Sequence, residues 1–346
     1  MIKQLFPLFL MLLLSLTAHS APSGQQLYET HCAVCHGSNG NGGVGVPLAL
    51  PDFQYGVTDE FLSKTILHGR PGRVMPAFKQ LNDSEIKALV KYIRGWAPGK
   101  PVTHPTKKIS GNIQHGKQLY QQHCASCHGA NGEGGIGTGV TFSRPRDLAI
   151  IPPALNNSGF LTSASDQVIK AALMNGREGT PMVSYLKQGL TEKDIDDVVS
   201  YIRSFEKDPL DKKRKIEAGD KIIEYESPYD LSTTIENIKK AAIGKNYRII
   251  REQTLDHGLV EARKENKKQT IIYFCNFQLL FEALAVDPRV GLFLPCRVTV
   301  VEDKGQVKVF ATDPRRLSKL FNNNELDKLC TEMYETYESI IEEATL

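Results

Sequence analysis

Cys32-Ala33-Val34-Cys35-His36 and Cys124-Ala125-Ser126-Cys127-His128 are two copies of one pattern, C-x-x-C-H. Two thiols at this spacing, with a histidine directly after them, suit covalent attachment of a c-type haem. The thiols add across the vinyl groups, and the histidine turns back to ligate the iron. So short a pattern can arise once by chance. Here each copy stands in the same longer frame, Gly24-Gln25-Gln26-Leu27-Tyr28-Glu29-Thr30-His31 before the first and Gly116-Lys117-Gln118-Leu119-Tyr120-Gln121-Gln122-His123 before the second. Both continue as Cys-His-Gly, with Asn39-Gly40 and Asn131-Gly132 two residues on.

Working outward, residues 22–98 and 113–205 form an internal repeat. Each copy ends on a similar stretch, Leu81-Asn82-Asp83-Ser84-Glu85-Ile86 to Tyr92-Ile93-Arg94 and Leu190-Thr191-Glu192-Lys193-Asp194-Ile195 to Tyr201-Ile202-Arg203. Ile86, Leu89, Val90 and Ile93 recur at helical spacing, as do Ile195, Val198, Val199 and Ile202, so each stretch reads as an amphipathic helix. Asp83 and Thr191 are the expected N-caps. The second copy is longer between haem motif and tail by an irregular insertion at 141–165. A Pro/Gly-rich linker at 98–105 separates the copies.

Residues 221–346 have another texture. Strand-like runs fall at 221–225, 247–253, 270–275, 297–302 and 307–311, with Asp303-Lys304-Gly305 as a hairpin turn between the last two. Helical runs fall at 231–243 and 325–341, with a short one at 278–285. The fold class expected is therefore multidomain: two all-α haem domains followed by one α+β domain.

The sixth iron ligand sets what a haem can do. Methionine closes the site, raises the potential and favours electron transfer, whereas an open site favours chemistry on small ligands. Beyond residue 20 the methionines are Met75, Met174, Met182 and Met333. Met75, in Gly72-Arg73-Val74-Met75-Pro76, is the candidate in the first repeat. Counting back from the terminal helix, Gly69-Arg70 matches Gly176-Arg177 and Met75 matches Met182, while Met174 matches Leu67 in an apolar helical stretch. Met182 is thus the expected ligand of the second haem, and Met174 reads as core. The proximal ligands are His36 and His128. Cys32, Cys35, Cys124 and Cys127 hold the haems. His68 would be a rival ligand only with the Met75 loop displaced, and His31 and His123 read as surface neighbours. A carbonyl should fix each proximal ring through Nδ1–H, with Pro47 and Pro153 as candidates.

Lys3, the apolar run 5–16 and Ala18-His19-Ser20 read as a cleavable signal peptide over residues 1–20. That run is short for a bilayer span, so no transmembrane anchor is expected, and the retained anchor is the competing reading. The expected location is periplasmic, as a soluble exported protein. Residues 21–205 hold 18 basic and 14 acidic side chains, and 206–346 hold 23 and 25. Neither half has the basic stripe of a nucleic-acid binder.

With its C-x-x-C-H, Pro-x-Leu segment, methionine loop and aromatic-rich terminal helix, each repeat resembles a class I cytochrome c domain. The pair resembles the dihaem cytochrome c4 family. That resemblance implies two covalently bound haem c groups and single-electron shuttling between redox proteins of a respiratory or periplasmic chain. The insertion at 141–165 departs from the shorter repeat. A dihaem redox enzyme with one open haem, peroxidase-like or thiosulfate-oxidising, is the alternative.

In the last segment, Ile271-Ile272-Tyr273-Phe274-Cys275-Asn276 and Leu292-Phe293-Leu294-Pro295-Cys296-Arg297-Val298 resemble a small α+β family known as domain of unknown function 302. Phe277 stands where that family usually has proline after Cys-Asn. The family implies a fold and no chemistry. Cys275 and Cys296 stay open to three readings: a disulfide, buried thiols, or a metal or redox site. Cys330 reads as core.

Overall fold

The computed structural model of the chain describes residues 21–346 apart from 44, 98, 100–101, 136–151, 178–180 and 214–221. The expected signal at 1–20 and the first part of the expected insertion lie outside the described residues.

The first helical segment runs α1 (Gly24–His31), α2 (Ala33–His36), α3 (Pro51–Gly56), α4 (Asp59–His68) and α5 (Asp83–Arg94). The second repeats that order as α6 (Ile113–His123), α7 (Ala125–His128), α8 (Ser158–Ser163), α9 (Asp166–Asn175) and α10 (Glu192–Ser204). In each, the first helix crosses the last at a glycine. A Cβ on Gly24 would lie 2.1 Å from the Ala88 carbonyl oxygen, and one on Gly116 would lie 2.0 Å from that of Asp197. Only glycine permits so close a backbone approach. Beside each crossing, Tyr28 packs edge-on against Trp96 and Tyr120 packs edge-on against Tyr201. The predicted apolar faces are buried: Ile86, Leu89, Val90 and Ile93 in α5, and Ile195, Val198, Val199 and Ile202 in α10.

Thr191 caps α10 as expected, but α5 is capped by Asn82 and not by Asp83. Asn82 accepts from the Ser84 and Glu85 N–H groups while Glu85 reaches back to the Asn82 N–H. This is a reciprocal capping box, which needs its polar residue just outside the helix. Matching ion pairs tie the terminal helices down, Arg94 to Asp59 at 2.7 Å and Arg203 to Asp166 at 2.6 Å.

The C-terminal segment is an α+β fold. Its strands are β1 (Ile222–Ser227), β2 (Arg248–Thr254), β3 (Gln269–Cys275), β4 (Cys296–Asp303) and β5 (Gln306–Thr312). They form one antiparallel sheet in the order β1-β5-β4-β3-β2. The β4–β5 hairpin turns at Lys304 and Gly305, with φ of 50° and 83°, the conformation a two-residue hairpin needs. Val298 and Val300 of β4 and Val307, Val309 and Ala311 of β5 are buried at alternate positions. They share a core with Ile235 and Ile238 of α11 (Leu231–Gly244) and with Tyr337, Ile340 and Ile341 of the final helix. Three further helices follow the pattern expected for the sequence only in part. α12 (Phe277–Val286) matches the short predicted run, α13 (Arg315–Leu320) was not anticipated, and α14 (Asp327–Thr345) starts two residues later than predicted. Around α12, α13 and the start of α14 lies a second, smaller core of Ala283, Val290, Leu317, Phe321, Leu326 and Cys330. It supports a turn at Phe321, Asn322, Asn323 and Asn324.

The segments touch. Gly159 at the start of α8 lies against the end of α4, where a Cβ would meet the Gly69 carbonyl oxygen at 2.2 Å. Asn157 donates to the Pro71 carbonyl at 2.8 Å. Arg70 sits in this interface beside the rings of Phe61 and Phe160, and its burial pulls its pKa down to about 10.

Candidate haem-binding sites

Each C-x-x-C-H lies on a single turn of helix. α2 and α7 place the paired cysteines and the histidine together, and the chain then reverses at Gly37 and Gly129, with φ of 78° and 81°. Two bonds fix each reversal. The Gly42 N–H donates to the His36 carbonyl and the Gly134 N–H to the His128 carbonyl, both at 2.7 Å. The Tyr28 hydroxyl donates to the Gly37 carbonyl at 2.7 Å, and the Tyr120 hydroxyl to that of Gly129 at 2.9 Å.

Both histidine rings are oriented by a backbone oxygen. His36 Nδ1 is 2.8 Å from the Val46 carbonyl, and His128 Nδ1 is 3.0 Å from that of Pro153. A carbonyl can only accept, so Nδ1 carries the hydrogen and Nε2 keeps its lone pair. That is the tautomer of a metal-ligating imidazole. Burial lowers both histidine pKa values, against the carbonyl bonds that raise them, and so favours the neutral ring. Pro153 is the partner expected from the sequence. The expected Pro47 is replaced by its neighbour Val46, because the chain bends around Gly42 and Pro47 in close contact and presents the preceding carbonyl. Gly45 lies flat on the His36 ring, where a Cβ would come within 2.6 Å of Cε1. The donor set and this cradle fit a c-type haem. Burial also pushes the Cys32 and Cys124 thiols up to about 11, which argues against thiolate nucleophiles at these positions.

Met75 and Met182 both lie in loops that fold back on the end of the preceding helix. The Arg70 N–H donates to the Met75 carbonyl at 2.9 Å, and the Arg177 N–H to the Met182 carbonyl at 2.7 Å. Each loop crosses a glycine in the left-handed region, Gly69 at φ 62° and Gly176 at φ 71°. A Cβ on Gly69 would meet the Pro76 backbone at 2.5 Å, and one on Gly176 the Met182 carbonyl oxygen at 2.6 Å. Met174 lies within α9 and packs on the helical core. His31 and His123 are half-buried, with His31 against Phe78 and His123 against Tyr185.

Sequence reasoning missed a third participant. The turn Asn322–Asn324 of the C-terminal segment lies on the Met75 loop. The Gly72 N–H donates to the Asn322 side-chain oxygen at 2.7 Å, and the Asn322 amide nitrogen donates to the carbonyls of Met75 at 2.9 Å and Arg70 at 3.1 Å. Backbone bonds run from the Val74 N–H to the Asn322 carbonyl at 2.6 Å and from the Asn324 N–H to the Gly72 carbonyl at 2.8 Å. Arg73 pairs with Glu325 and donates to the Gly135 carbonyl, just past the second haem motif, at 2.6 Å. Arg289 and Asp287 act on the Cys35 thiol, Arg289 pulling its pKa down and Asp287 pushing it up, while burial sets the upward direction. Three successive asparagines at a helix end signal a turn, but nothing local names partners some 250 residues away.

In the same C-terminal segment, Cys275 and Cys296 are buried, unbridged and adjacent. The contact between the two thiols favours one thiolate, lowering the pKa of Cys296 and raising that of Cys275. Cys296, Tyr247, Leu279 and Met333 help to line a cavity of about 20 Å³, room for a single water. Cys330 is buried core, as expected.

Comparison with known proteins gives three matches along the chain. Residues 19–93 match the family model for cytochrome C oxidase, cbb3-type, subunit III, residues 113–206 match that for cytochrome c, and residues 223–344 match domain of unknown function DUF302. The cbb3-type cytochrome c oxidase subunit CcoP of Azospirillum sp. (strain B510) is 28% identical over 170 residues, covering 45% of this chain and 53% of that protein. Subunit FixP of Sinorhizobium medicae (strain WSM419) is 31% identical over 124 residues, covering 32% of this chain and 40% of that protein. The chain thus spans about half the length, or less, of these curated relatives. A crystal structure of an uncharacterized conserved protein DUF302 from Bacillus stearothermophilus aligns with 36% of this chain and 99% of its own at 18% identity, with a TM-score of 0.34. Among the described residues no helix is long and apolar enough to cross a membrane. The chain therefore joins cytochrome c sequence, carried through residue 206, to a C-terminal DUF302 domain.

Proposed function

We propose that the chain is an exported dihaem c-type cytochrome that passes single electrons between redox proteins of a respiratory or periplasmic chain. The domains are 22–98 and 113–205, each holding one haem, and 221–346 behind them. Cys32 and Cys35 would attach the first haem, and His36 and Met75 would ligate its iron. Cys124 and Cys127 would attach the second, with His128 and Met182 as its ligands.

The observation that carries this reading is the doubled local geometry. In both copies a histidine gives Nδ1–H to a backbone oxygen and leaves Nε2 for iron, and a methionine lies in a glycine-hinged loop closed by an arginine N–H. The haem, when bound, supplies a reversible one-electron couple. Of the chain's own residues, Val46 and Pro153 hold the histidine rings, and the loops closed by Arg70 and Arg177 hold Met75 and Met182, the residues that would complete the iron's ligation. An iron ligated by both a histidine and a methionine would have no open position for a substrate, which favours a carrier over the alternative of a dihaem redox enzyme with one open haem. Similarity to cbb3 oxidase subunits supports electron transfer in a respiratory setting.

The near-infrared spectrum of the oxidised protein tests this. The expected result is the methionine–iron(III) charge-transfer band with an intensity per chain equal to two haems. A band worth one haem, or none, would overturn the assignment.

A further inference from the structure

We propose that the C-terminal domain is a built-in clamp on the first haem's methionine loop, with Asn322 and Arg73 as positioning residues for Met75. The proposal rests on the reading that Met75 is an axial ligand. It goes beyond that reading in assigning a role to the domain of unknown function: it sets the ligation and potential of the first haem.

Four observations converge. First, the bonds of Asn322 fall on both ends of the loop, on the Gly72 N–H and on the carbonyls of Arg70 and Met75. The Met75 carbonyl is the same oxygen that accepts from the Arg70 N–H. One side chain therefore bridges the loop's closing bond. Second, Val74, directly before Met75, has a φ of 74°. A β-branched residue in the left-handed region is held there only where surrounding structure compensates its steric cost, and its N–H is bonded to the Asn322 carbonyl. Third, the clamp is itself rigid. The Arg289 guanidinium donates to the Phe321 carbonyl at 2.7 Å and stacks on the Phe321 ring, and Asn323 donates to the buried carboxylate of Asp287 at 3.1 Å. Fourth, Arg73 joins all three segments, through Glu325 of the C-terminal domain and the Gly135 carbonyl of the second repeat. Among the described residues, the bonds of Asn322 to the helical segments fall on the first loop, at Arg70, Gly72, Val74 and Met75.

Methionine ligation to iron is labile compared with the histidine on the other side, so its retention depends on how firmly the loop is held. A clamp whose bonds fall on the first loop acts on the first haem. Any event that shifts the turn Asn322–Asn324 is then read out at the first haem.

The test uses the full holoprotein. Asn322 has a φ of 50°, so Asn322→Gly removes the side chain without straining the backbone. The second variant is Asn322→Gly combined with Glu325→Gln. We expect the potential of one haem to fall and its near-infrared band to weaken, with the other haem unchanged and the double variant the more affected. Carbon monoxide should bind to one haem of two in the double variant. Adding Met182→Ala should open the remaining haem and so identify the affected one as the first. If Asn322→Gly does not fold, Asn322→Asp, which keeps the acceptor for Gly72 and loses both donated bonds, replaces it and should give the same one-haem shift. Unchanged potentials and bands at both haems in the double variant would overturn the clamp, as would equal changes at both. A parent protein without two methionine–iron bands would instead overturn the ligand assignment on which the clamp rests.

Discussion

A backbone oxygen on each imidazole is the smallest feature on which the account depends. Because a carbonyl cannot donate, it dictates the tautomer, and the tautomer leaves Nε2 for the metal. The need for such a partner was legible from the C-x-x-C-H pattern, and Pro153 was legible as its source. Val46 was missed in favour of Pro47 because a one-residue difference in which carbonyl faces the ring depends on how Gly42 and Gly45 bend the chain, not on residue type. Counting from the terminal helix favours Met182 over Met174 as the proposed ligand, and the structure has Met174 within α9 and Met182 in the loop after it. It follows that Met182→Ala should halve the methionine–iron band, while Met174→Leu, a volume-conserving change, should leave it intact. A loss of intensity in the Met174 variant would reverse the assignment.

At the scale of elements, periodicity located the five strands and the two terminal helices of the repeats, because burial of one face imposes period 2 on strands and 3.6 on helices. The helix crossings at Gly24 and Gly116 were quoted as part of the repeated frame, but their meaning, backbone against backbone, is visible only in three dimensions. Helix α13 and the turn after it carry little periodic signal, since they are short and are held by tertiary partners. Chief among these is Asp287, fully buried and bonded to Arg289 and Asn323. Burial alone would raise its pKa, but the bonds from Arg289 and Asn323 outweigh this and hold it below the ordinary 3.8. A carboxyl with a depressed folded-state pKa adds stability above its unfolded value and loses it as pH falls through the folded value. Thermal unfolding followed by circular dichroism should therefore show this contribution intact from neutral pH to about 4 and declining below, with a shallower acid decline in Asp287→Asn. Identical acid slopes in parent and variant would show that Asp287 does not tie the turn.

For the whole molecule, the division into helical repeats and a sheet domain was legible, because the haem motifs, the methionine count and the alternating strands each announce themselves locally. The way the parts meet was not. Arg70 in the interface between repeats, Gly159 against Gly69, and the C-terminal turn on the Met75 loop are contacts between residues far apart in sequence, specified by shape and by unsatisfied backbone groups. They tie the two repeats to each other and the C-terminal segment to the first. The central claim is that both sites are closed by methionine, and addition of carbon monoxide to the fully reduced holoprotein tests it most directly. The account predicts no rapid binding at either haem and an unchanged reduced spectrum, whereas rapid binding at one haem would contradict it and point to an open, reactive iron.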